Sequence, residues 1–223
     1  MRSRLDLGGP ALHACYRELR DHPHVARIYP AYLVLLHAMM RASVPLMEAA
    51  LARARTLAST DRVARVVAAY LEHHLPEEQD HDRWLLEDLA LIGVPEEQVL
   101  RVMPSPSVAA MVGAQYYWIH HHHPACILGY IAVLEGNPPP VSEIKAIARR
   151  SGLPEPAFQT WIKHAELDPG HAQELDLLLD DLQPDEETFN AIAVSALTTI
   201  RFATASFSEL LEDASPGAPP QGR

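Results

Sequence analysis

His164, Asp168 and His171 stand four and three residues apart in the run His-Ala-Glu-Leu-Asp-Pro-Gly-His. On a helix turning about 100° per residue they fall within roughly 60° of one another, so two imidazoles and a carboxylate share one stripe. That is half of a metal site. The alternative is a polar surface face with Asp168-Pro-Gly as a turn. A second set, His74, Glu78 and His81, repeats the same spacing if the helix survives Pro76. Its Glu78-x-x-His81 pair is the device by which helical bundles aim a carboxylate and an imidazole at one ion, although ordinary surface helices carry such pairs too. Glu77, one turn ahead of His81, competes with Glu78 on geometry alone. Glu135 follows Ile127 to Leu134, eight residues without a charge. An acid after such a stripe is either a surface group at a helix terminus or a buried carboxylate in need of a cation.

The three stretches together offer carboxylates and imidazoles without thiolate. That donor set suits iron or manganese and disfavours structural zinc. Two metals bridged by carboxylate, with positions open to O2, is an arrangement that bundles support. The remaining candidates carry less. His120 to His123 cannot all share one helical face, so one or two of them, His120 included, are expected beside the cavity and the rest at a helix end before Pro124. Glu48, the lone acid in residues 30–57, is read as solvent face in preference to a further ligand. Tyr116, Tyr117 and Trp118 read as core, with Tyr117 and Tyr130 kept as candidates to face a substrate.

The elements that must position these groups are helical. Pro10 suits the first turn of a helix over 10–21. Apolar positions at Leu33, Leu36, Met40, Val44, Met47 and Leu51 have helical spacing in a segment opened by Pro30 and kinked or split at Pro45. Ser59 or Thr60 is placed to cap a helix reaching His74, and Leu75-Pro76 to bend or restart it before Gly93. A short helix is expected from Pro95, one capped by Ser107 from Val108 to about His121, and an apolar segment over 124–136. After Asn137-Pro-Pro-Pro, a helix capped by Ser142 ends near Ser151. The triplet segment follows, distorted at Pro169-Gly170, then a long helix over 184–212. No hairpin or repeat signal appears. The expectation is an all-α bundle of seven to nine helices in one domain over 1–214, with a disordered Pro/Gly-rich tail at 215–223.

Composition narrows the function. The chain has 223 residues, 48% of them hydrophobic, and a formal net charge of −11. A sizeable core is expected, and no basic stripe invites a nucleic acid or an anionic membrane. Two distant cysteines, Cys15 and Cys126, argue against a disulfide scaffold and suit a reducing compartment. The N-terminus lacks the apolar core of a signal peptide. The run Ile28 to Leu46, interrupted by Pro30, His37, Arg41 and Pro45, reads as core and not as a membrane span. A cytoplasmic location is expected.

The run from His73 to Leu89, the run from Gly129-Tyr to Glu135-Gly, and the His164/Asp168/His171 triplet together resemble the haem-oxygenase-like di-metal oxidases, also called iron-containing redox enzymes. The resemblance covers about residues 60–182, and the order and spacing of the three segments are its specific part. It implies a haem-oxygenase-like helical bundle around a non-haem di-iron centre, with His81, Glu135, His164, Asp168 and His171 as matched ligands. For the sixth, Glu78 fits one family pattern. In the other pattern a glutamate lies seven residues ahead of the matched histidine, where this chain has His74. Glu78 is the expected sixth ligand, with His74 and Glu77 as alternatives.

Family members apply O2 to small molecules, in N-oxygenation, fatty-acid decarboxylation and oxidative fragmentation of amino acids. The resemblance therefore implies two Fe ions (or Mn), O2 as co-substrate, and oxidation of an amine- or carboxylate-bearing small molecule in secondary metabolism. Homodimerisation is left open. The same bundle hosts cofactorless quinone-synthase- and thiaminase-like enzymes and true haem oxygenases, and a non-catalytic iron-binding bundle would share the ligands. No cysteine stands as a nucleophile within the matched segments. A haem would leave Glu135 and the triplet unexplained.

Overall fold

The computed structural model describes residues 9–136 and 138–213; the expected tail over 215–223 lies outside them. Among the described residues the elements are helical, in the order α1 (Gly9–Asp21), α2 (Val25–Met40), α3 (Ser43–Leu57), α4 (Arg62–Glu78), α5 (His81–Leu91), α6 (Glu96–Arg101), α7 (Pro106–His121), α8 (Ile127–Leu134), α9 (Val141–Ser151), α10 (Gln159–Leu182) and α11 (Glu186–Asp213), with 3-10 turns at Pro124–Cys126 and Glu155–Phe158. Nine of these helices exceed ten residues, in keeping with the expected bundle.

Several ends differ from the sequence expectation for local reasons. Pro30 lies inside α2, which begins at Val25. The expected split near Pro45 falls at Arg41–Ala42, and Pro45 sits in the first turn of α3, where a missing N–H costs nothing. Asp61, not Ser59 or Thr60, caps α4, its Oδ1 accepting from Ala64 N–H at 2.9 Å. Ser105 replaces Ser107 as the cap of α7, with Pro106 at the first helical position. Ser107 turns instead to Glu209 on α11. Ser142 lies inside α9, whose N-cap position is Pro140.

Two apolar clusters fill the bundle. One gathers residues of α3, α4, α7, α8, the second half of α10 and α11; Met47, Leu71, Met111, Leu128, Leu179 and Ile192 are typical. The other gathers α1, α2, α5, α9, the start of α10 and the end of α11, around Tyr29, Tyr32, Leu85, Ile144, Trp161 and Phe207. Val25–Leu57 and Glu186–Glu212 have the length and apolarity of membrane spans. The first is broken at Arg41–Ala42, and both bury residues in these clusters.

The boundary between the clusters matters for chemistry. Leu71 and Leu75 of α4 belong to the first, and Leu85 and Leu89 of α5 to the second. On α10, Trp161 belongs to the second and Leu175 to the first. The polar residues 78–81 and 164–171 therefore fall where the chain passes from one apolar cluster to the other.

Candidate metal centre

Four elements converge at this boundary. α4 does not restart at Pro76; it runs through it and ends at Glu78. The break comes at Gln79 and Asp80, where Asp80 takes a left-handed conformation with φ of 66°, and α5 opens on His81. Glu78 and His81 thus stand on either side of a corner and not on one helix, yet Glu78 Oε2 lies 3.2 Å from His81 Nδ1. Glu135 is the residue immediately after α8, its N–H bonded to Ile131 O. α10 passes through Pro169 and Gly170 without interruption. It buries Asp168 and His171, and so keeps the triplet on one stripe.

His74, Glu78, Glu135 and His171 offer ligand atoms that all lie within 4.8 Å of one another, and all four are buried. His74 Nε2 is 3.2 Å from Glu135 Oε2, and His171 Nδ1 is 3.4 Å from Glu135 and 3.6 Å from Glu78 Oε1. Glu78 reaches His171 with one oxygen and His81 with the other, the posture of a carboxylate that can bridge two ions. On the His81 side, the His164 ring stands 5.0 Å from the His81 ring and nearly perpendicular to it. His164 Nδ1–H donates to Thr160 O at 2.8 Å, which fixes the tautomer and leaves Nε2 as its free ligand atom. Tyr70 stacks on His74 with ring centres 5.0 Å apart, and Trp84 lies against His81 at 4.0 Å.

The donor set passes a test of its own. His74 Nδ1, His81 Nδ1, Glu135 Oε2, Asp168 Oδ1 and His171 Nδ1 are buried without a well-aligned hydrogen bond, although Glu135 Oε2, His81 Nδ1 and His171 Nδ1 each lie 3.2–3.6 Å from an oppositely charged partner. A buried polar atom left wholly without a partner costs about 1–3 kcal/mol. Five buried ligand-type atoms held this close without aligned hydrogen bonds fit groups that share a cation. Four histidines, two glutamates and an aspartate suit iron or manganese.

The charges agree with this. Burial pushes the Asp168 carboxyl up to about 8, with Glu135 and Glu78 adding to it. Pairing with Glu135 pushes His171 up to about 9. Burial works against charge on both Glu135 and His74; their mutual pairing outweighs it, holding Glu135 low with the help of His171 and His74 high against the repulsion of His171. Burial holds His164 low. At neutral pH the metal-free site therefore retains protons on Asp168 and His171 that a cation must displace. Fe(II) addition near pH 7 is expected to release protons into weakly buffered solution, and affinity to rise with pH until it levels near 9. A titration with a pH indicator under argon reads both.

The other sequence candidates lie apart. His120 is exposed at the end of α7 and stacks on Tyr116, so it is neither ligand nor neighbour of one. His123 instead pins a turn: its Nδ1 accepts from Ala125 N–H at 3.1 Å and its Nε2–H donates to Asp61 at 3.0 Å. Tyr117 is 63% exposed on the outer face and leaves the substrate role. Glu48 is exposed, as favoured. Tyr130 is buried and shares a 3.0 Å hydrogen bond with Ser43. Glu77, 40% exposed, lies 3.7 Å from His171 Nε2 and 3.8 Å from His74 Nδ1, on the solvent side of the cluster.

One positioning residue escaped the sequence reading. Asp88, buried on α5, accepts Thr160 N–H at 2.9 Å in the first turn of α10, where a carboxylate favours the helix N-terminus. Thr160 O in turn holds His164. The only sequence signal is the acid pair Glu87-Asp88 set between Leu86 and Leu89. Asp88→Ala is expected to cost about 2 kcal/mol in urea unfolding of the metal-free protein, and to loosen iron binding through His164.

Known proteins share this architecture. A domain of unknown function with a heme oxygenase-like fold from Shewanella denitrificans OS217 has a TM-score of 0.77 at 17% identity, over 96% of this chain and 90% of that one. A TenA homolog from Pseudomonas syringae pv. tomato DC3000 gives 0.67 at 12%, over 94% and 90%. A CADD-like protein of unknown function from Nostoc punctiforme PCC 73102 gives 0.61 at 16%, over 93% and 98%. These define a haem-oxygenase-like fold. No curated protein matches the chain in sequence. The pattern of iron-containing redox enzymes matches residues 30–204, and the chain belongs to that family. Its activity class is accordingly oxidoreductase.

Proposed function

We propose that the chain is a non-haem di-iron oxidase or oxygenase that uses O2 to oxidise a small amine- or carboxylate-bearing molecule in the cytoplasm, as a step of secondary metabolism. The observation that carries this is the buried group of closely set imidazole and carboxylate atoms gathered from α4, α5, α8 and α10. His74, Glu135 and His171 would hold one ion, and His81, His164 and Asp168 the other, with Glu78 between them; manganese would fit the same donors. Bound iron would supply the electrons and the open coordination positions that O2 chemistry requires.

The chain's own residues do the rest. Thr160 fixes His164 in one tautomer. Tyr70 and Trp84 cover His74 and His81 and exclude water from their faces. Glu77, half in solvent and close to His171 Nε2, is placed to exchange protons between the centre and water. Cys126 is fully buried, and burial pushes its thiol up to about 11, which supports the metal reading over a thiaminase-like one that needs an accessible thiolate.

Anaerobic Fe(II) titration followed by elemental analysis tests the assignment. Two irons per chain are expected. His164→Ala is expected to retain one, because it strips only the half built with His81. A wild-type stoichiometry of one or below would overturn the di-iron proposal.

A further inference from the structure

Between α2, α6 and α7 lies a cavity of about 400 Å3 that shares no residue with the metal cluster. Its walls are apolar, with Val34 from α2, Val99 and Leu100 from α6, and Val108 and Val112 from α7. Tyr116 of α7 adds a phenol, and two nitrogen-bearing side chains break the apolar character, His37 and Arg41, one turn apart where α2 ends. His37 is 2% exposed, and its Nε2 has no hydrogen-bond partner. A buried, unpartnered imidazole nitrogen on a cavity wall is a cost that a bound polar atom removes. Arg41 adds a permanent positive charge with several donors. Burial, reinforced by Arg41, keeps the His37 imidazole neutral against the opposing pull of Asp82 on α5 and Glu96 at the start of α6. Neither acid lines the cavity.

We propose that this cavity binds a small apolar carboxylate at a site separate from the metals. Its hydrocarbon part packs against the valines, and its head takes the His37 imidazole and the Arg41 guanidinium. The volume lies within the range of small-molecule pockets, about 300–1,000 Å3. Arg41 and Ala42 also form the turn into α3, next to Ser43, whose Oγ is bonded to Tyr130. An occupant therefore ties that turn to α6 and α7.

Calorimetric titration with decanoate, decan-1-ol and decylamine tests the proposal on both the metal-free and the iron-loaded protein. One decanoate per chain is expected, at least 10-fold tighter than either other probe and independent of iron. Arg41 is exposed, and Arg41→Ala is expected to weaken decanoate to the level of the alcohol while leaving the fold intact. Gly113 lines the cavity, and a Cβ there would meet nothing within 4 Å. Gly113→Leu is therefore expected to melt no lower than the parent and take up the same iron, but to lose decanoate binding at least 10-fold. Equal affinity for the three probes, no binding, or undiminished binding in Gly113→Leu would overturn the proposal. So would decanoate binding that requires iron, since the carboxylate would then sit on the metals. None of these outcomes touches the di-iron reading, which the iron titration decides separately.

Discussion

A Glu135→Gln variant is expected to bind iron more than about 100-fold more weakly than the parent while keeping its helical content. Groups that merely orient metal ligands are worth about 10–100-fold in affinity, and a direct carboxylate ligand exceeds them. Glu135 is the member of the cluster that faces both His74 and His171, at 3.2 and 3.4 Å. The amide preserves shape but removes the charge that offsets the cations. It also leaves His171 without the partner that pushes it up to about 9. In the metal-free variant His171 should titrate closer to an ordinary histidine, which NMR of the imidazole protons reads directly. Far-ultraviolet circular dichroism checks the fold, and Glu48→Gln, on the exposed face of α3, is expected to leave iron affinity unchanged. Parent-like affinity in Glu135→Gln would remove Glu135 from the centre.

Gly129→Ala is expected to be strongly damaging despite adding a single methyl. Gly129 lies on α8 where its backbone crosses α11. A Cβ there would collide with Ile192 O, reach 2.7 Å from Ala196 N and touch Ser195 Cβ at 3.0 Å. Two of those neighbours are backbone and cannot rotate away. α11 is also tied to α7, because Ser195 Oγ–H donates to Gln115 at 2.9 Å and Gln115 Nε2–H donates to Thr199 at 3.2 Å. Overpacking costs typically about 1–3 kcal/mol, and a rigid obstruction places this case at the upper end. For a chain of this size that corresponds to a fall of roughly 6–12 °C in melting temperature. Because α8 delivers Glu135, iron affinity should fall as well. Gly113→Ala, with open space around the new methyl, is the matched control and should raise stability by about 1 kcal/mol through helix propensity. Equal melting temperatures for Gly129→Ala and the parent would show that α8 and α11 part more easily than their contact suggests.

These two cases also mark what the sequence could and could not reveal. The His164/Asp168/His171 stripe was legible because it lies on one helix, where spacing alone sets direction. Pro169 did not spoil it, since α10 runs on past the missing N–H. Glu78 and His81 were legible as a pair for a different reason than the one that holds. Their helix ends between them, and the left-handed Asp80 folds His81 back toward Glu78. Pro76 was the visible breaker, but α4 passes it and stops only at Glu78.

His74 shows the limit of pattern matching. It reads as a departure from the family's spacing, yet it faces Glu135 within the tight cluster. Asp88 and Gly129 carried almost no signal, because each acts on a helix more than sixty residues away in the chain. The four consecutive histidines, the loudest feature of the sequence, end α7 on the surface and pin a turn.

The central claim is that this buried constellation holds two irons that react with O2. Stopped-flow mixing of the anaerobically Fe(II)-loaded protein with O2, followed across the visible spectrum and by O2 consumption, tests it most directly. A visible absorption band is expected that rises and decays with O2 uptake, and that is absent from a His171→Ala variant loaded under the same conditions. A protein that takes up two irons but shows neither a transient band nor O2 consumption, with or without candidate amines and carboxylates, would contradict it and leave an iron-binding bundle without oxygen chemistry.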